Sequence, residues 1–332
     1  QPPIGFCQVV ELARKRVLRT DAAAATTALT EAERAAAELD VLAEVTRRFI
    51  HVASDQEHLA LTIRATALAD DNVTAATARV AAARAPDVEL RRARVTRARV
   101  GVEQEHAEHE LLTSKRKLAA MWGDTEARFD RVGADLYALP PSEGYEELVA
   151  KLASNPDFAR FASEERLRDA ELRVAEAHAR TDLTWRAGLR ILSESNDEAL
   201  VFGVTMPLNA SRRARNEIAV ARAERERTAA ERDAHRVRAE AELFELFQEL
   251  RHSVTEAEML RTSVLPEMEA ALEDTRYAFE RGRYSYLEWV DAQRELVDVQ
   301  RALIDASANA HLYRTEIERL TGEPLSSAED SR

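Results

Sequence analysis

"YAFERGRYSYLEWVDAQRELV", residues 277–297, decides how the chain is built. The sequence is rich in helix formers on both sides of it, yet Gly282 stands here in a chain with only nine glycines. Glycine is a poor helix residue and reaches backbone conformations that other residues adopt only at a cost. The stretch therefore reads as the turn of a helical hairpin. Tyr277 and Phe279 end one helix, Gly282, Arg283, Tyr284 and Ser285 reverse the chain, and Glu288 and Asp291 begin the next helix.

Outward from the turn the apolar pattern stays helical. Upstream, Leu243, Phe247, Leu250, Val254, Ala257, Leu260 and Val264 recur at steps of three and four, predicting a helix from about residue 210 to 280. Pro266 should kink that helix or loosen one of its turns. Downstream, Leu296, Val299, Leu303, Ala306, Ala310, Tyr313, Ile317 and Leu320 alternate steps of three and four, the pattern of a coiled-coil seam.

The first half of the chain follows the same plan. No Gly or Pro occurs from Leu12 to Ala81, and Leu39, Leu42, Val45, Phe49, Val52, Leu59 and Ile63 describe one stripe. A helix of ~70 residues would be ~105 Å long. A turn at Ala83, Arg84, Ala85 and Pro86 then leads into a helix reaching about Met121, with Val88, Val95 and Val102 spaced by seven, followed by Leu111 and Leu118. A shift of 199 residues sets Gly123 on Gly322, Ala83 on Gly282, Glu89 on Glu288 and Ala93 on Ala292. Each half is a long helix, a tight turn and a long returning helix.

Between the halves the period changes. Gly133, Pro140, Pro141 and Gly144 mark turns, and a shorter helix runs from about Tyr145 to Ala179, interrupted near Asn155 and Pro156. In "TDLTWRAGLRIL" (181–192) and "ALVFGVTMPLN" (199–209) apolar and other residues alternate. Leu183, Trp185, Ala187, Leu189 and Ile191 fall on one face of the first strand, and Leu200, Phe202, Val204 and Met206 on one face of the second. The polar "SESNDE" between them completes a β-hairpin.

Composition agrees with helices packed side by side. Apolar residues make up 45%, many of them alanine, while aromatics are 5% and Gly and Pro nine each. A net charge of −13 disfavours nucleic acid, which needs a basic stripe. The single cysteine, Cys7, excludes internal disulfides. No apolar run is long enough for a transmembrane helix. The opening "QPPIGFCQVVELARKR" has no signal-peptide pattern, so either the protein is not exported or the sequence lacks its true beginning.

Three segments resemble the TolC-like outer membrane factors. "QVVELARKR" (Gln8 to Arg16) is similar to the strand-to-helix junction of the heavy-metal cation efflux branch, cobalt-zinc-cadmium or copper-silver, where a glycine pair usually stands at the positions of Ala13 and Arg14. "VFGVTMPLN" resembles the matching junction of the second repeat, and "YAFERGRYSYLEWVDAQRELVDVQ" with the closing "IERLTG" resembles the second tip motif. The resemblance implies a mainly α fold with a small β part: helical hairpins in two repeats forming an α-barrel, and strands contributing to a trimeric transmembrane β-barrel. It implies four strands from each subunit, twelve in the trimer, of which this sequence holds about three. The outward row is then Leu183, Trp185, Leu189, Ile191, Leu200, Phe202, Val204 and Met206, facing outer membrane lipid, with Thr184, Arg186, Arg190 and Thr205 facing the interior.

The expected organisation is a remnant of the first-repeat strand (1–10), the first helical hairpin (11–122), an equatorial segment with a short helix (123–180), the β-hairpin (181–208), the second helical hairpin (209–322) and a disordered tail (323–332). The resemblance also implies a homotrimer in the outer membrane of a Gram-negative bacterium, with a long periplasmic part. Its partners would be a periplasmic adaptor (membrane fusion) protein, met at Ala83 to Pro86 and Gly282 to Ser285, and an inner-membrane RND-type pump. Glu288 and Asp291, three apart on one helix face, would ring the aperture as a cation-selective gate, where crowding of six carboxylates would raise their pKa values.

No phosphate loop, nucleophile elbow or zinc-protease signature is present, and neither an enzyme nor a cofactor is expected. His106 and His109 sit three apart, and His51 and His58 lie on the preceding helix, but without a third ligand in view they read as surface residues. The function expected is passive export, of heavy-metal cations first and drugs or organic compounds second. Helical periodicity alone would also allow a soluble coiled-coil scaffold, for which the apolar face of the β-hairpin has no use.

Overall fold

The computed structural model describes residues 4–141, 143–192 and 197–322, without the side chains at 191, 192 and 197. The expected tail at 323–332 lies outside the described residues. In chain order the elements are β1 (Ile4–Val10), α1 (Lys15–Ala81), α2 (Asp87–Ala119) with a closing 3-10 turn (Ala120–Trp122), α3 (Tyr145–Leu152), α4 (Pro156–His178), β2 (Leu183–Leu192), β3 (Asp197–Thr205), α5 (Ala210–Met259), a π turn (Leu260–Val264), α6 (Leu265–Glu280) and α7 (Tyr286–Thr321). The π turn lies directly ahead of Pro266, whose missing N–H loosens the helix as expected.

The 199-residue repeat holds in the backbone at the hairpin turns and at both ends of the returning helices. Asp87 and Tyr286 open α2 and α7, and Trp122 and Thr321 end the two ascents, each pair 199 residues apart. Ala83 has φ 55° where Gly282 has 72°, and Gly123 has 85° where Gly322 has 71°. At the first strand-to-helix junction Ala13 and Arg14 both stand in the left-handed region, at φ 58° and 57°. The positions where the resemblance expects glycines thus need glycine's conformation, and L side chains hold it at a cost. Lys15 anchors this strained turn: its ammonium lies 2.8 Å from the Asp182 carboxylate, which also accepts the Leu12 N–H at 3.0 Å. Ala13→Gly with Arg14→Gly should stabilise the chain by about 1–2 kcal/mol net, read as a rise in thermal midpoint. An unchanged or lower midpoint would mean that the turn is not strained.

The chain packs as two compact units, Gln1–Glu38 with Ala153–Glu240, and Leu39–Leu152 with Ala241–Arg332. The first holds β1, β2 and β3, with α4 tied to α5 by Arg232–Glu165 (2.7 Å) and Arg225–Asp169 (2.6 Å). The second holds both hairpin turns. There α7 buries Leu303, Ala306, Ala310, Ile317 and Leu320, the predicted seam. Asn72 donates to Gln293 at 2.6 Å within the packed helices, and Arg47 pairs with Glu316 at 2.5 Å. The irregular segment after Gly123 is bound to the same helices. Gln56 exchanges two hydrogen bonds with the Val132 backbone (2.8 and 3.2 Å), and Leu136 is buried with Ile50, Leu61 and Ile304.

Two predicted stripes are corrected. On α1 the stripe holds at Val52, with Val45 and Phe49 packed beside it, and fails at Leu42 and Ile63, which are exposed while Ala43, Ile50, Leu61, Ala69 and Ala76 are buried. Alanine seams let helices approach closely, so the smaller residue takes the contact. On α2 the buried row is Ala93, Ala107, Ser114 and the expected Leu118, while the valine heptad of Val88, Val95 and Val102 faces outward.

Candidate functional site

The sheet has the order β1-β2-β3 and is antiparallel throughout. Residues paired across a ladder share a face, and here the pairing joins Ile4 to Leu189, Val10 to Leu183, Leu189 to Leu200, and Trp185 to Val204. The two strands predicted from alternation therefore align their apolar rows on one face. Ile4, Phe6 and Val10 extend that row, with Phe6 and Trp185 ring centroids 5.5 Å apart. The row lies open: Leu200, Phe202 and Val204 are 70%, 75% and 74% exposed. Met206 is exposed too, and Leu183 is half-buried. Ile191 pairs with Glu198 through its backbone, and its side chain lies outside the described residues.

The opposite face carries Cys7 beside Arg186, Thr184 beside Thr205, and Gly5 beside Gly188. A Cβ on Gly188 would stand 2.9 Å from the Ile4 carbonyl oxygen, so β1 and β2 approach more closely there than side chains allow. Such paired glycines let a sheet curl towards the face they leave empty.

The two turns are built alike. Arg84 N–H donates to the Arg79 carbonyl at 2.8 Å, and Arg283 N–H to the Ala278 carbonyl at 2.9 Å. They share one core of Ala76, Ala93, Phe279 and Tyr286, against which Trp289 packs, its ring stacked 4.8 Å from Phe279. Arg79 lies 4.7 Å over Phe279 and pairs with Glu89 at 2.9 Å. Phe279 is named by the sequence as the end of a helix, but the core it forms with Tyr286 and Trp289 is not. Arg84, Arg283, Tyr284 and Ser285 remain exposed at the surface of the turns.

Glu288 has a second role. Ser285 caps α7: its hydroxyl accepts the Glu288 N–H at 3.3 Å, while the Glu288 carboxylate accepts the Ser285 N–H at 2.6 Å. This capping box is spelled in the sequence as Ser-x-x-Glu. Within one subunit the Ser285 N–H, followed by its hydroxyl, holds the Glu288 carboxyl below the usual glutamate range, the reverse of the direction expected from crowding in a trimer. Asp291, one turn on, is exposed and lines a groove of about 620 Å³ between α2 and α7, together with Arg91, Arg92 and Arg294. The first repeat has Arg92 where the second has Asp291, so the groove is bordered by both signs of charge. Of the histidines, His58 is paired with Asp305 at 2.9 Å, and His51, His106 and His109 line a second groove between α1 and α2.

The model of the family described as "Outer membrane efflux protein" matches residues 148–323. The chain belongs to the outer membrane efflux protein family. The chain is 30% identical over 262 residues to the cobalt-zinc-cadmium resistance protein CzcC of Cupriavidus metallidurans, a match covering 79% of the chain and 63% of that protein. The chain thus spans less than two thirds of that relative's length. Its fold is that of solved outer membrane channels. The outer membrane protein VceC of Vibrio cholerae superposes with a TM-score of 0.81 at 19% identity, over 97% of this chain and 79% of that one. CusC, solved in a study of folding and transmembrane channel formation, gives 0.79 at 13% identity, over 96% and 77%. No helix among the described residues is long and apolar enough to cross a membrane.

Proposed function

We propose that three copies of this efflux protein form an outer membrane export duct. The observation that carries the proposal is the apolar row of the open sheet, from Ile4 and Phe6 through Trp185 and Leu189 to Leu200, Phe202 and Val204, exposed on one side only. A soluble scaffold would bury or lack such a row. A bilayer accepts it only when the strands close into a barrel that leaves no edge, which takes several copies of this sheet. In the duct the apolar row faces lipid, and Arg186, Arg190, Thr184 and Thr205 face water. The exposed valines of α2 meet a neighbouring subunit.

The helical hairpins extend into the periplasm of a Gram-negative cell. Their turns, at Ala83 to Pro86 and Gly282 to Ser285, receive the hairpin of a periplasmic adaptor that links the duct to an inner-membrane RND-type pump. Their conformation supports this, since both turns are tightly hydrogen-bonded and rest on a common core. Glu288 and Asp291 of three subunits ring the aperture and favour cations. The cargo is heavy-metal cations, a reading supported by the 30% likeness to a protein named for cobalt, zinc and cadmium resistance. The duct itself performs no chemistry and conducts passively. Face-selective quenching of tryptophan by brominated lipid tests the membrane placement.

A further inference from the structure

The face of the sheet turned away from its apolar row sets two arginines among mostly small residues. Arg186 stands at its centre, paired with Cys7 of β1 and with Gly203 of β3. Thr184 and Gly188 flank it along β2, and no residue adjoining it on this face, along or across the strands, carries a charge. A Cβ on Gly203 would meet nothing within 4 Å, so the space beside Arg186 is open. Arg190 lies four residues further, about 13 Å along the strand, and pairs with Ala199. Both arginines are exposed, and neither enters an ion pair among the described residues. At the two ends of β2, Asp182 is held by the Lys15 ammonium at 2.8 Å, and Asp197 pairs with Leu192 through its backbone, its side chain lying outside the described residues. Glu198 pairs with Ile191 and belongs to the other face.

We propose that in the duct Arg186 and Arg190 form a ring of positive charge inside the barrel that attracts small anions. The inference rests on the export-duct reading, in which this face looks on water, and adds a sign to it. Two arginines from each of three copies bring six guanidiniums into one interior. The glycines gather them: Gly5 and Gly188 let the sheet curl towards this face, and among such small neighbours the guanidiniums reach furthest inward. A low-dielectric wall focuses the field of such a ring, and rings of arginine or lysine favour anions in pores generally. The sign is opposite to that of Glu288 and Asp291, which belong to the other compact unit. A cation leaving the barrel is therefore accompanied by anions drawn to Arg186 and Arg190.

Cys7, the only cysteine, is exposed beside Arg186 and reports the local potential. The full chain in lipid vesicles is treated with two methanethiosulfonates of similar size, one ending in a sulfonate and one in a trimethylammonium, and the two rates of Cys7 modification are compared. Their ratio cancels the reactivity of the thiol itself. The sulfonate reagent should be favoured at Cys7 over its performance with glutathione in the same buffer. Arg186→Gln with Arg190→Gln should lower the ratio about tenfold, because removing a nearby positive charge slows the anionic reagent and speeds the cationic one. Arg186→Lys with Arg190→Lys keeps both charges and should keep the ratio. An unchanged ratio in the glutamine variant, or an equal loss in the lysine variant, would overturn the ring and leave the duct in place. Cys7 closed to both reagents would instead remove the water-filled interior, and the ring with it.

Discussion

Phe202→Lys with Val204→Lys leaves the chain out of the outer membrane. Both side chains lie in the exposed apolar row of β3, and in a lipid-facing barrel a lysine near the bilayer midplane costs about 2–4 kcal/mol. Two such charges add about 4–8 kcal/mol, a factor of a thousand or more in the membrane-inserted population. Thr205→Lys, on the opposite face beside Thr184, should insert almost as the parent does. Membrane fractionation with heat-resistance of the assembled oligomer reads the difference. Equal insertion of the two variants would remove the face assignment, and with it the barrel.

The second large effect concerns the aperture, where the capping box dictates the choice of substitution. Replacing Glu288 with an arbitrary neutral residue would remove both a charge and a helix cap. Glutamine keeps the cap, since a capping box accepts Glu or Gln at this position. Glu288→Gln with Asp291→Asn therefore removes six carboxylates from a trimer while leaving the start of α7 in place. In planar bilayers this variant should lose most of its cation preference, and block by multivalent cations should weaken about tenfold or more. Ser285→Ala provides the complementary control, costing about 1 kcal/mol of capping without removing charge. Selectivity and block equal to the parent's would show that the pair is only a solvated helix face.

How much of this was legible in the sequence depended on which residues carried each contact. The α7 seam could be read because Leu303, Ile317 and Leu320 are large and regularly spaced. The α1 seam could be read only in part, at Val45, Phe49 and Val52, because Ala43, Ala69 and Ala76 take contacts elsewhere while Leu42 and Ile63 look outward. Strand faces were legible from alternation, since a period of two leaves only two choices. β1 was harder, with Gln8 interrupting its apolar row and Val9 on the other face. The repeat placed both turns, and Ala13, Arg14 and Ala83 stand in the left-handed region that glycine adopts most readily.

The sites divide in the same way. Ser285 and Glu288 were in view as a local motif, yet the tip analogy drew Glu288 to the aperture and hid its capping role. Phe279 reads from the sequence only as the end of a helix, and Tyr286 and Trp289 carry no reading, because their common core needs α1 and α2 to close it. Arg186 reads as an interior residue from alternation, but Cys7 is far from it in sequence, and only the antiparallel register of β1 on β2 brings them together.

The membrane placement is tested most directly with tryptophan. The chain has three, Trp122, Trp185 and Trp289, and replacing the first and last with Phe leaves one reporter in the apolar row. Reconstituted into vesicles of lipid brominated on its acyl chains, Trp185 should be strongly quenched. Arg186→Trp in a Trp185→Phe background, which moves the reporter to the opposite face of the same strand, should stay bright. Quenching that is equal at the two positions, or absent from both, would contradict a sheet with one face in lipid.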